Sequence, residues 1–460
     1  MSSRSPRRGP SSAVKAVLGT VASLRRRIPL FGIAVALVTA RAWGATPPAP
    51  ADRPLGLADA VQLALARNER AKIADDEVVE ARAAVEKARV AFLPTITATG
   101  TDTVRPYQVS RAGVVVTPYN VAGGTANITQ PLVNLPAWPL YRQAQRLLDA
   151  QKASSTDARR ILAFNAAQSF FNALASEAVL AAAERRFDTA KSSLDDAQAR
   201  VQAQLNSSND VTRAQLDLAS AQQEVAADDG NVRNAYTALA FVINAKVAPP
   251  LVPPEDTLRV AANPVGPVDP LIASAVGRRP DLVAAKFTAK AAHDFAAEPL
   301  LRIAPTLTVA AGVTGSTLVM GSGYFTDETL VGTLAWQIYD GSNRYADKHS
   351  RDAAARIADL TQDTLVRQIG VDVATAVTQL ESAQSQFKAA ADAVTAARKN
   401  VGETATLYRQ GLATALELTD ANDSRFEAEI GYSGAEYAMA LAYLALRQAL
   451  GLDPIGTELK

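Results

Sequence analysis

The sequence predicts a mainly α protein with a small β part, built from two structural repeats that each run helix, two strands, long helix pair. Three observations predict it. First, Leu65-Ala-Arg-Asn-Glu-Arg70 opens a helical run that closes at Phe92-Leu-Pro-Thr-Ile-Thr97, and Gly277-Arg-Arg-Pro-Asp-Leu282 opens another that closes at Ile303-Ala-Pro-Thr-Leu-Thr308. The spacing from Glu69 to Pro94 equals that from Pro280 to Pro305. Second, hydrophobic residues make up 48% of the chain but aromatics only 6%, a balance carried by Ala and typical of long packed helices. Third, two stretches, from about Trp138 to Leu205 and from about Asn343 to Tyr408, contain hardly a helix breaker. A repeat of roughly 200 residues is too long for a solenoid unit, so the two copies complete one architecture together.

The elements follow in order. Residues 1–42 hold Arg4, Arg7, Arg8, Lys15, Arg25, Arg26, Arg27 and Arg41 without an acid, then an apolar stretch from Ile28 and the small-residue site Ala40-Arg-Ala42. That is the pattern of a secretory signal peptide. Its removal takes the formal net charge from +1 to −7. Residues 43–56 are a Pro- and Ala-rich lead-in. The first repeat spans 57–244: a helix from about Leu57 to Phe92 stopped by Pro94, strands at Thr95–Gly100 and from Ala126, then the long helix pair. Asn206-Ser-Ser-Asn-Asp210 separates the pair, with Ser208 or Asn209 placed to cap its second member. A Pro-rich linker, 245–269, is read as extended. The second repeat spans 270–451, with strands Thr306–Val313 and Leu330–Tyr339 and helices from Asn343 and Ala415 divided at Gly411. Residues 452–460 form a C-terminal tail.

No segment after residue 42 reaches 18 consecutive apolar residues, so any membrane crossing falls to the strands. Leu334, Trp336 and Ile338 share one strand face against Thr333, Ala335 and Gln337. Leu307, Val309, Ala311 and Val313 likewise oppose Thr308 and Gly312. Such alternation marks a transmembrane barrel, and equally a half-buried sheet on a soluble domain. Four strands leave an open edge, which lipid does not accept, and the smallest barrels need about eight. Strands that span a membrane therefore require two or more chains. Helices of about 100 Å would continue that ring as a tube.

Composition and motifs exclude several classes. A net charge of +1 argues against nucleic acid as a partner. The chain has no Cys, which removes disulfides and a thiol-linked lipid anchor from consideration. His293 and His349 lack metal-ligand spacing and read as surface or packing residues. No catalytic constellation, phosphate-binding Gly loop or cofactor motif is present, so neither an enzyme nor a metal or cofactor site is expected.

The chain resembles the TolC-like family of outer-membrane efflux proteins over residues 57–451. The resemblance rests on Leu57-Ala-Asp-Ala60 with Ala64-Leu65 and Asn68, Arg279-Pro-Asp-Leu282, and Pro94 and Pro305. Its most specific part is Tyr408-x-x-Gly411, then Leu416-Glu-Leu-Thr-Asp-Ala421, Ala428, Ala435, Ala442 and Leu450-Gly451. It implies a homotrimer in which each chain gives four strands to a twelve-stranded barrel in outer-membrane lipid and its helices to an α-barrel tunnel across the periplasm. It implies passive conduction of substrate delivered by an inner-membrane pump, with a periplasmic adaptor protein at the tunnel tip. An exported coiled-coil structural or adaptor protein without a pore is the alternative; it accounts for the helices but not for four amphipathic strands.

Candidate site residues follow from the same resemblance. Glu417 and Asp420, three apart on one helical face, match acidic entrance residues, and three copies would make a cation-favouring ring. The plainer reading is solvated charges or partners of the helix dipole. Tyr408 and Asp210 match a closed-state lock, or else a core Tyr packed on Ala and an N-terminal helix Asp. The family's gating arginine is replaced by Ala413, leaving Arg213 as a candidate substitute. Gly411, Leu412 and Ala413 resemble the adaptor-contact tip, whereas the first-copy equivalent, Gln204-Leu-Asn206, lacks the Gly.

Overall fold

A computed structural model describes residues 54–204, 207–317 and 325–456. The signal peptide and most of the lead-in lie outside the described residues, as does the end of the tail.

The first helical run is two helices, α1 (Leu57–Arg67) and α2 (Glu69–Arg89), where one was expected. Asn68 between them is extended, with ψ 138°, and its side chain accepts the Arg70 N–H at 2.9 Å. The same amide donates to the Val242 carbonyl at 2.7 Å, so one buried Asn caps a helix and fastens it to a distant one. A 3-10 turn, Val90–Phe92, ends the run before Pro94.

Strand β1 (Thr95–Val104) follows, then a hairpin of β2 (Val109–Arg111) and β3 (Val114–Thr117), then β4 (Asn120–Val133). The hairpin was not expected. Its two-residue loop, Ala112-Gly113, has φ 50° and 79°, the double positive φ of a type I′ turn. Next come α3 (Ala137–Gln202) and α4 (Ser208–Ile243). The α4 cap is Ser207, one residue before the expected candidates, because its hydroxyl accepts the Asn209 N–H at 3.2 Å.

The linker is not fully extended. It contains α5 (Glu255–Ala261), and Leu251 and Ala261 are buried. The second run also breaks, into α6 (Val268–Arg278) and α7 (Pro280–Leu301). Here the cause is Pro280 at the first helical position, which holds the preceding Arg279 extended at ψ 121°. Equivalent places in the two repeats thus bend by different chemistry.

The second repeat ends with β5 (Thr306–Ser316), β6 (Phe325–Ala335), α8 (Asn343–Arg409) and α9 (Ala415–Ala449). Trp336 and Ile338 lie beyond β6 rather than on it. The last pair of the ladder is Thr306 with Ala335, and the next residue on β5's side is Pro305, which has no N–H to extend it.

The four main strands form one antiparallel sheet in the order β1-β4-β5-β6. The register lines up Ile96, Ile128, Ala311 and Leu330 across one face. The adjacent row, on the other face, is Thr97, Asn127, Gly312 and Thr329. Gly312 makes room for Asn127: a Cβ there would fall 2.2 Å from the Asn127 Oδ1.

The core lies at mid-length of the long helices, not at the sheet. Phe164, Phe170, Phe171 and Leu174 of α3 meet Val61 of α1, Leu239 and Ile243 of α4, and Tyr437 and Leu444 of α9. A second cluster joins Leu282 to Ile369, Val373, Val377 and Leu380 of α8 and to Met439 and Leu446 of α9. Fully buried alanines such as Ala163, Ala166 and Ala167 let the helices approach closely. Among the described residues, no helix is long and apolar enough to cross a membrane.

Candidate functional site

Two regions carry the candidate residues: the turns of the two helix hairpins and the sheet. At the second turn, α8 ends in a Schellman motif. Gly411 (φ 77°) donates to the Tyr408 carbonyl at 3.1 Å and Leu412 to the Leu407 carbonyl at 2.9 Å. Gly411 and Leu412 are exposed and Ala413 is half-buried. The first turn uses the same left-handed position without glycine, Gln204 at φ 59°. Thr414 then caps α9 through a capping box. Its hydroxyl accepts the Glu417 N–H at 3.2 Å, while Glu417 Oε2 accepts the Thr414 N–H at 2.7 Å and the Thr414 hydroxyl at 3.0 Å. The backbone N–H first, and the hydroxyl second, hold the Glu417 carboxyl below the usual glutamate range. Glu417 therefore completes the helix terminus while remaining exposed, as Asp420 does one turn on.

Tyr408 is buried, and Arg200 of α3 covers it: the guanidinium carbon lies 4.4 Å from the ring centroid, and Nη1 donates to the Tyr408 carbonyl at 3.3 Å. Tyr408 and Asp210 line one cavity of about 360 Å³ between the two hairpins, together with Arg213, Asp196 and Leu416. Neither Glu417 nor Asp420 lines it. The far end of this cavity is closed by Arg186, whose guanidinium reaches Asp423 at 2.9 Å, Glu224 at 3.0 Å and Asp217 at 3.1 Å. Burial pushes the Asp217 carboxyl up, and Arg186 offsets only part of that. Arg186 and Arg200 were missed in the sequence. They stand 14 residues apart with Ser193 between, a heptad spacing that places all three on one side of α3 and was the available signal.

The sheet is bare on both sides. Every residue of β1 and β6 is exposed, and among the described residues no helix layer covers either face. On one face stand Ile96, Ile128, Leu330 and Leu334, 74%, 47%, 77% and 66% exposed. On the other stand Thr95, Thr97, Thr99, Thr101 and Thr103 of β1 with Thr125, Asn127 and Thr129 of β4. The Thr99 and Thr125 hydroxyls are 2.6 Å apart. At the helical end of the sheet, Trp336 donates from Nε1 to the Ile303 carbonyl at 2.9 Å, and Phe92 packs on Trp138 at 4.8 Å. Trp138, Trp336, Ile338 and Tyr339 are all exposed there. Among the described residues no cluster could hold a metal ion.

Comparison with known proteins bears on both regions. The signature of the outer membrane efflux protein family matches residues 60–245 and 271–452. No curated protein matches this sequence. Several solved structures share the fold. CusC, whose structures concern folding and transmembrane channel formation, is 17% identical with a TM-score of 0.75, covering 86% of this chain and 92% of CusC. The CmeC outer membrane channel of Campylobacter jejuni is 15% identical at a TM-score of 0.72, with 86% and 85% covered. The open-state MtrE outer membrane channel of Neisseria gonorrhoeae is 20% identical at 0.71, with 86% and 89% covered. With its signature matched in both repeats and along most of its length, this chain belongs to the outer membrane efflux protein family.

Proposed function

We propose that three copies of this chain form an outer-membrane channel whose helices extend into the periplasm as a tunnel. The channel passively conducts substrates delivered by an inner-membrane pump through a periplasmic adaptor, and makes or breaks no bond. The observation that carries this reading is the bare sheet. A half-buried sheet on a soluble domain has one face packed on a core, whereas here an apolar face and a threonine face are both open. In lipid the apolar face, with Leu334, meets acyl chains, Trp336 and Ile338 sit at the periplasmic boundary, and the threonines line the lumen. The two acids on the apolar face, Asp102 and Glu328, lie in the half of the sheet remote from the helices. A pore-free coiled-coil protein has no use for such a sheet.

At the periplasmic end, Glu417 and Asp420 from three chains form an acidic ring, Tyr408 and Asp210 lock the entrance, and Gly411, Leu412 and Ala413 meet the adaptor. Arg200 supplies to Tyr408 the cation that Ala413 lacks. Reconstitution of the purified protein in planar bilayers tests the function. Stepwise, cation-preferring conductance and heat-modifiable migration are expected; a protein that inserts nowhere and conducts nothing rejects it.

A further inference from the structure

Resting on that channel reading, we infer that Arg186 is the pivot of the entrance: it joins the second helix hairpin to the first and sets how much of the tip can swing. Arg186 belongs to α3, and its side chain is 12% exposed. Two of its three carboxylate partners, Asp217 and Glu224, are on α4 and tie the first hairpin to itself. The third, Asp423, is on α9 and takes Nη2 at 2.9 Å and Nε at 3.2 Å. Phe426, one turn along α9, lies under the same guanidinium at 5.3 Å. Only an arginine, with five donors in a fixed fork, can serve three carboxylates and an aromatic face at once.

A second node repeats the link. Glu429 of α9 is buried and meets Arg185 of α3 at 3.1 Å, Arg398 of α8 at 3.4 Å and Arg425 of its own helix at 3.9 Å. Both nodes connect α9 to α3, so the hairpins are fixed to each other at this level. Below it they are not close-packed. The cavity of about 360 Å³ runs from Arg186, Asp217 and Asp423 at its upper end to Asp210, Tyr408 and Ala415 near the turns. Close-packed helices cannot tilt against each other without opening voids, whereas an existing void supplies the room. Asp423 lies 12 residues beyond Gly411, which gives the free arm a length of roughly 18 Å. Near the turns, Arg200 of α3 on Tyr408 of α8 is a further contact between the hairpins.

The test uses full-length protein in planar bilayers. Asp423→Asn removes the charge from the link that Arg186 makes between hairpins but leaves Arg186 paired with Asp217 and Glu224, so no buried charge is stranded. Its open fraction should rise by about an order of magnitude, the scale on which one charge-assisted hydrogen bond shifts a two-state equilibrium. Asp423→Glu should restore closure. Glu224→Gln, which cuts a link inside the first hairpin, should give only a small part of the rise. Equal rises from Asp423→Asn and Glu224→Gln would overturn the pivot, because general loosening would then explain both. So would an unchanged Asp423→Asn channel beside a Tyr408→Phe channel that opens, a result that leaves the channel reading intact. Absence of conductance in the unaltered protein removes the channel reading and the pivot with it.

Discussion

At the scale of single residues, two glycines with nearly the same backbone separate strain from crowding. Gly411 has φ 77° and open space where a Cβ would stand, with no atom within 4 Å, whereas Gly451 has φ 74° and the Arg279 N and Cγ 3.2 Å from that position. Gly411→Ala should cost about 1 kcal/mol through backbone strain alone, and Gly451→Ala about 2–3 kcal/mol, read from urea unfolding midpoints. A Gly451→Ala change no larger than that at Gly411 would mean that the Arg279 corner yields freely. Glu417 allows a test of charge apart from structure, because Gln also completes a capping box. Glu417→Gln with Asp420→Asn should lower the cation preference in bilayers while leaving α9 intact. The sign of the pH dependence follows from the depressed carboxyl. The cap and the Glu417 charge are present above the ordinary glutamate range and are lost only as pH falls through the lower folded value. A Glu417 carboxyl that titrates at the ordinary glutamate value would contradict the capping geometry.

At the scale of elements, the boundaries of the long helices were legible in the sequence. The run read from Asn343 to Tyr408 is α8, Asn343–Arg409, because the Gly411 stop is unambiguous. The break at Asn68 was hidden, since an Asn inside apolar helical periodicity reads as tolerated; only the distant Val242 carbonyl explains it. The β2–β3 hairpin was hidden because Ala-Gly is a weaker turn signal than Asn-Gly. Trp336 and Ile338 keep strand alternation but lose the ladder to Pro305 on the neighbouring strand, a constraint that becomes visible only once register is known. The ties of Arg186 run to Asp217, Glu224 and Asp423, 31, 38 and 237 residues away, and no local pattern announces them. The two turns invite one further experiment. Gln204 occupies the left-handed position that Gly411 fills in the second copy. Gln204→Gly should stabilise the end of α3 by about 1 kcal/mol, seen as slower hydrogen exchange at Val201 to Ala203. Unchanged or faster exchange would show that the Gln side chain compensates for its backbone.

At the scale of the whole molecule, β1 and β6 each have a neighbour on one side only among the described residues. A shared barrel pairs the β6 of one copy with the β1 of the next. Because the chain has no native Cys, single cysteines placed at Thr97 in β1 and Thr329 in β6 can be oxidised without background. Linked oligomers up to a trimer are expected from outer-membrane fractions, and monomer alone would reject the shared barrel.

The threonine face has a consequence for how such a channel responds to its surroundings. Among the described residues of that face, Asp327 is the one side chain that ionises; the rest are hydroxyls, amides, glycines and apolar groups. Hydroxyls do not titrate in the range a cell meets, and apart from Asp327 the wall carries no charge to gather a counter-ion cloud for salt to thin. On the proposed reading, the described part of this face thus responds to acid and salt through Asp327 alone. On that reading too, discrimination falls to the opposite end, where Glu417, Asp420, Tyr408 and Arg186 stand, and a new cargo would be accommodated there without rebuilding the wall.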